Sequence, residues 1–141
     1  MITNFLSELK NRNKILYFGG LITLIFAGIF FILMQITDTQ ILGVNAWLKP
    51  FKFFLSNTIF VWTMAWLCHY LKKPRTVKFY SWMVTSVMGL ELTYIASQSM
   101  LGETSHFNVS TAYNAIMWAS MGLTISILTI WTAYILSLIH I

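Results

Sequence analysis

Charge is scarce in this chain. Asp, Glu, Lys and Arg together make up 9% of the residues, against about 25% in a soluble domain. Cysteine is nearly absent too. The lone Cys68 excludes an intramolecular disulfide and any paired-cysteine metal site, and it reads as a small buried apolar side chain. There are two prolines and three histidines, too few for a proline-rich linker or a histidine-built multinuclear centre. Gly-rich phosphate cradles, P-loops and nucleophile elbows are missing, so no nucleotide chemistry or serine hydrolysis is legible.

What is present is apolar. Hydrophobic residues make up 57% of the 141-residue chain. A water-soluble globule of this size could not bury that much, so lipid serves as solvent for much of the surface. The expected fold is all-α: an integral membrane helical bundle forming a single domain over residues 1–141, with about four spans at 15–36, 53–71, 79–100 and 112–135. Each has the roughly 20 residues needed to cross about 30 Å of hydrocarbon. The first run is too long for a signal peptide and has no cleavage site, so it is read as an uncleaved helix. Residues 1–14 read as a short amphipathic lead-in, and Gly19, Gly20 and Gly28 leave room for a neighbouring helix. Segment 37–52 reads as a loop or interfacial half-helix broken at Pro50. In it Trp47, Phe51, Lys49 and Lys52 suit the headgroup zone. Pro74 is read as a breaker in the basic loop 72–78.

The net charge of +5 comes from short basic clusters at the ends of apolar runs. These are topology signals, not a nucleic-acid face, so no nucleic-acid partner is expected. The N-terminal segment and loop 72–78 hold seven Lys and Arg, and the other two loops hold two. The positive-inside rule then puts the N-terminus in the cytoplasm and residues 37–52 and 101–111 outside. The expected location is the cell inner (plasma) membrane.

One acid, Glu91, falls within the third run, about nine residues or 14 Å from its outer end. A carboxylate at such depth is expensive and marks a functional position; its structural alternative is packing glue between helices. Tyr94 and Gln98 follow at i+3 and i+7 on the same helix face, and they are expected to hydrogen-bond with Glu91. The stripe climbs toward outer-loop groups: His106 and Asn108, Asn114 at the start of the fourth helix, Lys49 and Lys52, and Asn57 one turn into the second. His106, with Lys49 or Lys52, is assigned to the mouth of an outward-facing pocket.

Glu103 and His106 form an E-x-x-H pair, which on a helix serves di-iron bundles. Here it follows Gly102 in a loop and has no second copy. These two residues are weak metal candidates; no metal and no cofactor are expected. His69, at the basic end of the second helix, reads as an interfacial residue and not as a haem ligand.

Two blocks carry a resemblance. N-A-W-L-K-P-F-K-F runs from Asn45 to Phe53, and E-x-x-Y-x-x-x-Q followed by G-x-x-S-H-F-N runs from Glu91 to Asn108. The chain resembles, on these blocks, a group of uncharacterised bacterial multi-pass membrane proteins with no established activity. The resemblance implies bacterial origin, a longer chain and interest in the same polar residues. Residues Leu136–Ile141 can be encoded by the mosaic end of a transposase adapter used for sequencing libraries. Native sequence is therefore expected to end near Ile135 and to continue differently, and His140 is given no functional weight.

The function expected from these features is transporter-like or sensor-like. The alternative is a non-catalytic membrane binding or assembly module, with a partner helix or a second copy of the chain against the stripe. A weaker alternative is an intramembrane enzyme using Glu91 or His106 as acid or base; no nucleophile–base pair is evident.

Overall fold

The computed structural model describes residues 2–139, with the side chains of Ile2 and Thr3 left aside; His140 and Ile141, with the last part of the adapter-like tail, lie outside the described residues. Among these residues there are five α-helices: α1 (Ile2–Arg12), α2 (Lys14–Ile36), α3 (Leu48–Leu67), α4 (Pro74–Met100) and α5 (Ala112–Ser137). Three of the described helical segments are long and apolar enough to cross a membrane: Lys14–Ile36, Leu48–Tyr70 and Ala112–Ser137. Much of their apolar surface faces outward, including Ile22, Ile25, Ile29 and Ile32 on α2 and Ile116, Leu123, Ile127 and Ile130 on α5. Exposure of this kind on contiguous helix faces supports a membrane location.

Several boundaries differ from the sequence expectation. The lead-in is the helix α1, separated from α2 by Asn13. Asn13 holds extended backbone (φ −154°, ψ 98°), and its side chain accepts from the Leu16 N–H, satisfying one of the free first-turn donors. The same side chain donates to Ser81 Oγ at 2.7 Å, tying this junction to α4. Residues 37–47 are neither a featureless loop nor a half-helix. They hold a short antiparallel hairpin, β1 (Gln40–Ile41) with β2 (Val44–Asn45), so the fold is all-α but for this element. Its turn places Leu42 (φ 53°) and Gly43 (φ 78°) in the left-handed region, the type I′ pattern that matches strand twist.

The prolines start helices instead of breaking them. In α3 the Phe51 N–H makes the opening bond to Trp47 O at 3.0 Å. The three residues before Phe51 need no helical acceptor, and Pro50 loses nothing by lacking its N–H. Pro74 is at the first position of α4, where its fixed φ suits the helix. As a result α3 starts five residues and α4 five residues before the expected positions, and α5 runs to Ser137. The last turn of the second run, Cys68–Tyr70, tightens to 3-10 geometry.

The α2–α3 pair is the closest-packed. A Cβ on Gly20 would collide with the Trp62 indole, whose Nε1 donates to Tyr17 O at 3.2 Å. One turn on, Thr23 and Thr58 share a buried 2.8 Å hydroxyl contact. Small residues and interhelical hydroxyl bonds are what hold helices together in lipid, where apolar faces gain nothing from leaving water. The main core continues through Leu16, Val61, Ala65, Tyr80 and Val84, with Leu9 of α1 fully buried against it. Guanidinium stacking of Arg12 on Trp66, 3.8 Å from the ring centroid, pins α1 further. Of the three apolar segments α5 is the least embedded, with 17% of its most apolar stretch buried against 39% for the Leu48–Tyr70 segment.

Gly20→Ala should lower the melting temperature of the detergent-purified protein, by an overpacking cost of about 1–3 kcal/mol. Gly28, with no atoms around its missing Cβ within 4 Å, is the control. Gly28→Ala should leave stability unchanged or raise it by up to about 1 kcal/mol. Equal melting temperatures for the two variants would remove Gly20 from its packing role.

Candidate functional site

The hairpin end of the bundle is assembled by one side chain acting on backbone, Asn45, and by one backbone closure. Asn45 Nδ2 donates to Thr37 O at 2.8 Å and Met34 O at 3.2 Å, satisfying carbonyls at the end of α2. Its Oδ1 accepts from the Trp47 N–H at 3.0 Å, which fixes where α3 begins. Trp47 stacks on Phe30 at 5.7 Å. On the other side, α4 ends in a Schellman motif: Gly102 (φ 73°) donates to Ser99 O at 3.3 Å, and Glu103 N–H donates to Gln98 O at 2.9 Å. That closure fixes the start of the loop that carries Glu103.

Glu103 then organises the loop. Its Oε2 accepts from Asn108 Nδ2 and from Asn114 Nδ2, both at 3.2 Å. Asn114 Oδ1 accepts in turn from Tyr94 Oη at 3.5 Å and Gln98 Nε2 at 3.4 Å. Asn108, Asn114, Tyr94 and Gln98 are buried. Gln98 Oε1 has no hydrogen-bond partner among the described residues, and neither does Asn57 Oδ1 on α3.

Glu91 belongs to a different contact. Its Oε1 accepts from Thr124 Oγ1 of α5 at 3.0 Å. Tyr94 and Gln98 are therefore not its hydrogen-bond partners, contrary to expectation. All three point toward α5, but i, i+3 and i+7 sit at successive levels along the axis, so each meets a different level of the facing helix. Farther down, Tyr80 Oη and Thr132 Oγ1 lie 2.8 Å apart. The α4–α5 contact is thus a ladder of polar rungs at Asn114, Thr124 and Thr132. Thr124 and Thr132 were not singled out from sequence; a threonine in an apolar run carries no signal of its partner.

His106 meets Lys49. Lys49 Nζ and His106 Nδ1 are 3.1 Å apart, and Ser105 Oγ also lies 3.1 Å from Nδ1. A lysine ammonium only donates, so Nδ1 accepts and the ring proton sits on Nε2. Phe53 lies against the imidazole, with ring centroids 5.7 Å apart. Lys52 is exposed and makes no side-chain bond to this group. Burial, and secondarily the Lys49 charge, pushes the His106 pKa below its ordinary 6.5.

Two cavities flank this contact. The outer one, about 360 Å³, lies between the hairpin and the 101–111 loop and is lined by Leu42, Lys49, Lys52, Phe53, Glu103 and Ser105 among others. The inner one, about 260 Å³, is lined by Phe53, Glu91, Leu92, His106, Trp118 and Met121 among others. Glu91 and His106 are the inner cavity's two titratable lining groups. Lys49 faces the outer cavity, His106 the inner, and Phe53 both, so these three side chains form the partition.

No family model, curated protein or solved structure matches this chain.

Among the described residues no three His, Cys, Asp or Glu side chains converge as a metal site. Glu103 and His106 are turned to different partners, the first to Asn108 and Asn114 and the second to Lys49 and Ser105. The arrangement sets one carboxylate, Glu91, and one imidazole, His106, against the same largely apolar cavity.

Two outcomes follow from this geometry. Glu103→Ala leaves the Asn108 and Asn114 amides without their carboxylate, at a local cost of about 1–3 kcal/mol; hydrogen exchange should quicken across residues 103–114 and stay unchanged in α2. For His106, the folded state resists protonation that the unfolded state accepts. Stability contributed by the neutral ring is present above pH 6.5 and falls as pH drops through that ordinary value. The melting temperature should show this acid-side loss, and His106→Gln should abolish that component of it.

Proposed function

We propose that this chain is a multi-pass membrane protein of four spans, with α4 as the third in chain order beside the three apolar segments, and that it works as a small transporter-like or sensor-like protein. In this reading the basic end of the bundle is cytoplasmic, the membrane is a bacterial inner membrane, and the hairpin and the 101–111 loop are outside. Glu91 is the protonatable centre. His106, Lys49 and Phe53 separate it from the outer cavity. The single observation that carries the reading is the inner cavity, an apolar chamber whose two titratable lining groups are Glu91 and His106. An apolar pocket with a few convergent polar groups is the usual form of a small-ligand site, and an intramembrane acid is the usual form of a proton-coupled one. Tyr94, Gln98, Asn108 and Asn114 form the network around Glu103, which lines the outer cavity together with Lys52, and Asn57 lines neither cavity.

A non-catalytic assembly module is the second reading. It is favoured by the outward apolar face of α5, from Ile116 to Ile130, which a partner helix or a second copy could cover.

Glu91→Gln keeps the shape of the side chain and removes its titration. Membrane insertion should be preserved, and the pH dependence of ligand binding or transport in proteoliposomes should disappear. Unchanged pH dependence would sink the proton-centre reading. A change in oligomeric state alone would favour assembly.

A further inference from the structure

The opposite end of the bundle carries a feature that the Glu91 reading does not use. Seven basic residues gather there, Lys10, Arg12, Lys14, Lys72, Lys73, Arg75 and Lys78, against one acid, Glu8. The single ion pair among the described residues is Arg12–Glu8, at 2.9 Å. Lys14 and Lys78 therefore face no carboxylate. Both line a cavity of about 310 Å³ where α1, α2, the Cys68–Tyr70 turn and α4 converge, together with Arg12, His69 and Pro74. Its wall is fixed by the buried Asn13–Ser81 bond. Arg12 presents a buried Nη1 with no acceptor, although its Nε is taken by Glu8 and its plane by Trp66. Ile15, Leu71 and Val77 supply an apolar flank.

We propose that this cavity binds the phosphate of an anionic phospholipid headgroup. Lys14 and Lys78 have no carboxylate partner among the described residues, and Arg12, paired with Glu8 through Nε, keeps Nη1 without an acceptor there. Two lysines on different helices, α2 and α4, close on the same space and present strongly hydrated point charges suited to phosphate. The apolar flank at the end of a membrane-crossing helix gives acyl chains a surface beside the headgroup, which free phosphate would not use. Basic pockets between helices at this level of a bilayer are where such headgroups are held. The first turn of α4 adds amide donors that no side chain caps.

The test titrates the full chain in a zwitterionic detergent with phosphatidylglycerol, phosphatidylcholine or inorganic phosphate, and reads apparent affinity from the rise in melting temperature. Phosphatidylglycerol should stabilise and phosphatidylcholine should not. Lys14→Gln with Lys78→Gln should weaken phosphatidylglycerol by about fivefold per charge removed. Lys72→Gln with Lys73→Gln removes the same charge at the same end, outside the cavity, and should change affinity little. Lys14→Arg with Lys78→Arg keeps the charge and should retain binding, which separates loss of the site from loss of the fold. Equal weakening by the two glutamine pairs would overturn a defined site in favour of diffuse surface attraction. Equal stabilisation by inorganic phosphate would overturn the lipid assignment.

Discussion

Where Gly20 meets the Trp62 indole, α2 and α3 approach more closely than two faces bearing side chains could. Everything outward from that contact is placed by it. The Thr23–Thr58 hydroxyls are brought within 2.8 Å, and Phe54 and Phe30 interleave toward the hairpin end, 4.9 Å between centroids. Trp47 then stacks on Phe30, holding in place the α3 start that Asn45 fixes and with it Lys49 and Phe53. A wider α2–α3 spacing would move the partition between the two cavities. The site therefore depends on a glycine that lines neither cavity.

The α4–α5 contact is built on another principle. It has no comparable close approach; it has polar rungs, Tyr80–Thr132, Glu91–Thr124 and the Asn114 cluster. In lipid such bonds contribute modestly, on average about 0.6 kcal/mol each. The bundle thus joins a tight helix pair to a loosely held helix, and the inner cavity lies on the loose side. Function drawn from the low-stability part of a fold is a general pattern.

The apolar helices were legible because composition leaves no other solvent for runs such as Ile15–Ile36. Glu91 was legible as an oddity for the same reason. Pro50 and Pro74 misled, since whether proline breaks or begins a helix depends on where the first hydrogen bond falls, and that is set by Trp47 and Lys73 and not by the proline. The hairpin stayed hidden because its turn is Leu42-Gly43, whereas the usual announcement of a type I′ turn is Asn-Gly or Asp-Gly. Helical spacing put Glu91, Tyr94 and Gln98 on one face, which they share. It could not supply the register of α5, so Thr124 and Asn114 as the separate partners were beyond it. Convergence of His106 with Lys49 follows from the Schellman closure at Gly102 and the anchoring of Asn45, two backbone events with no periodic signature.

The rungs between α4 and α5 have a mechanical consequence. At 26 residues α5 is about 39 Å long, and α4, at 27 residues, is slightly longer. Both exceed the roughly 30 Å of hydrocarbon. A helix that is too long leans, or lets its ends stand in the headgroups. Three rungs spread from Tyr80 to Gln98 oppose a slide of one helix past the other by about 2 kcal/mol in all. In the proposed four-span reading, α4 and α5 then favour leaning together over leaning apart, and the chamber that holds Glu91 has walls from both of them.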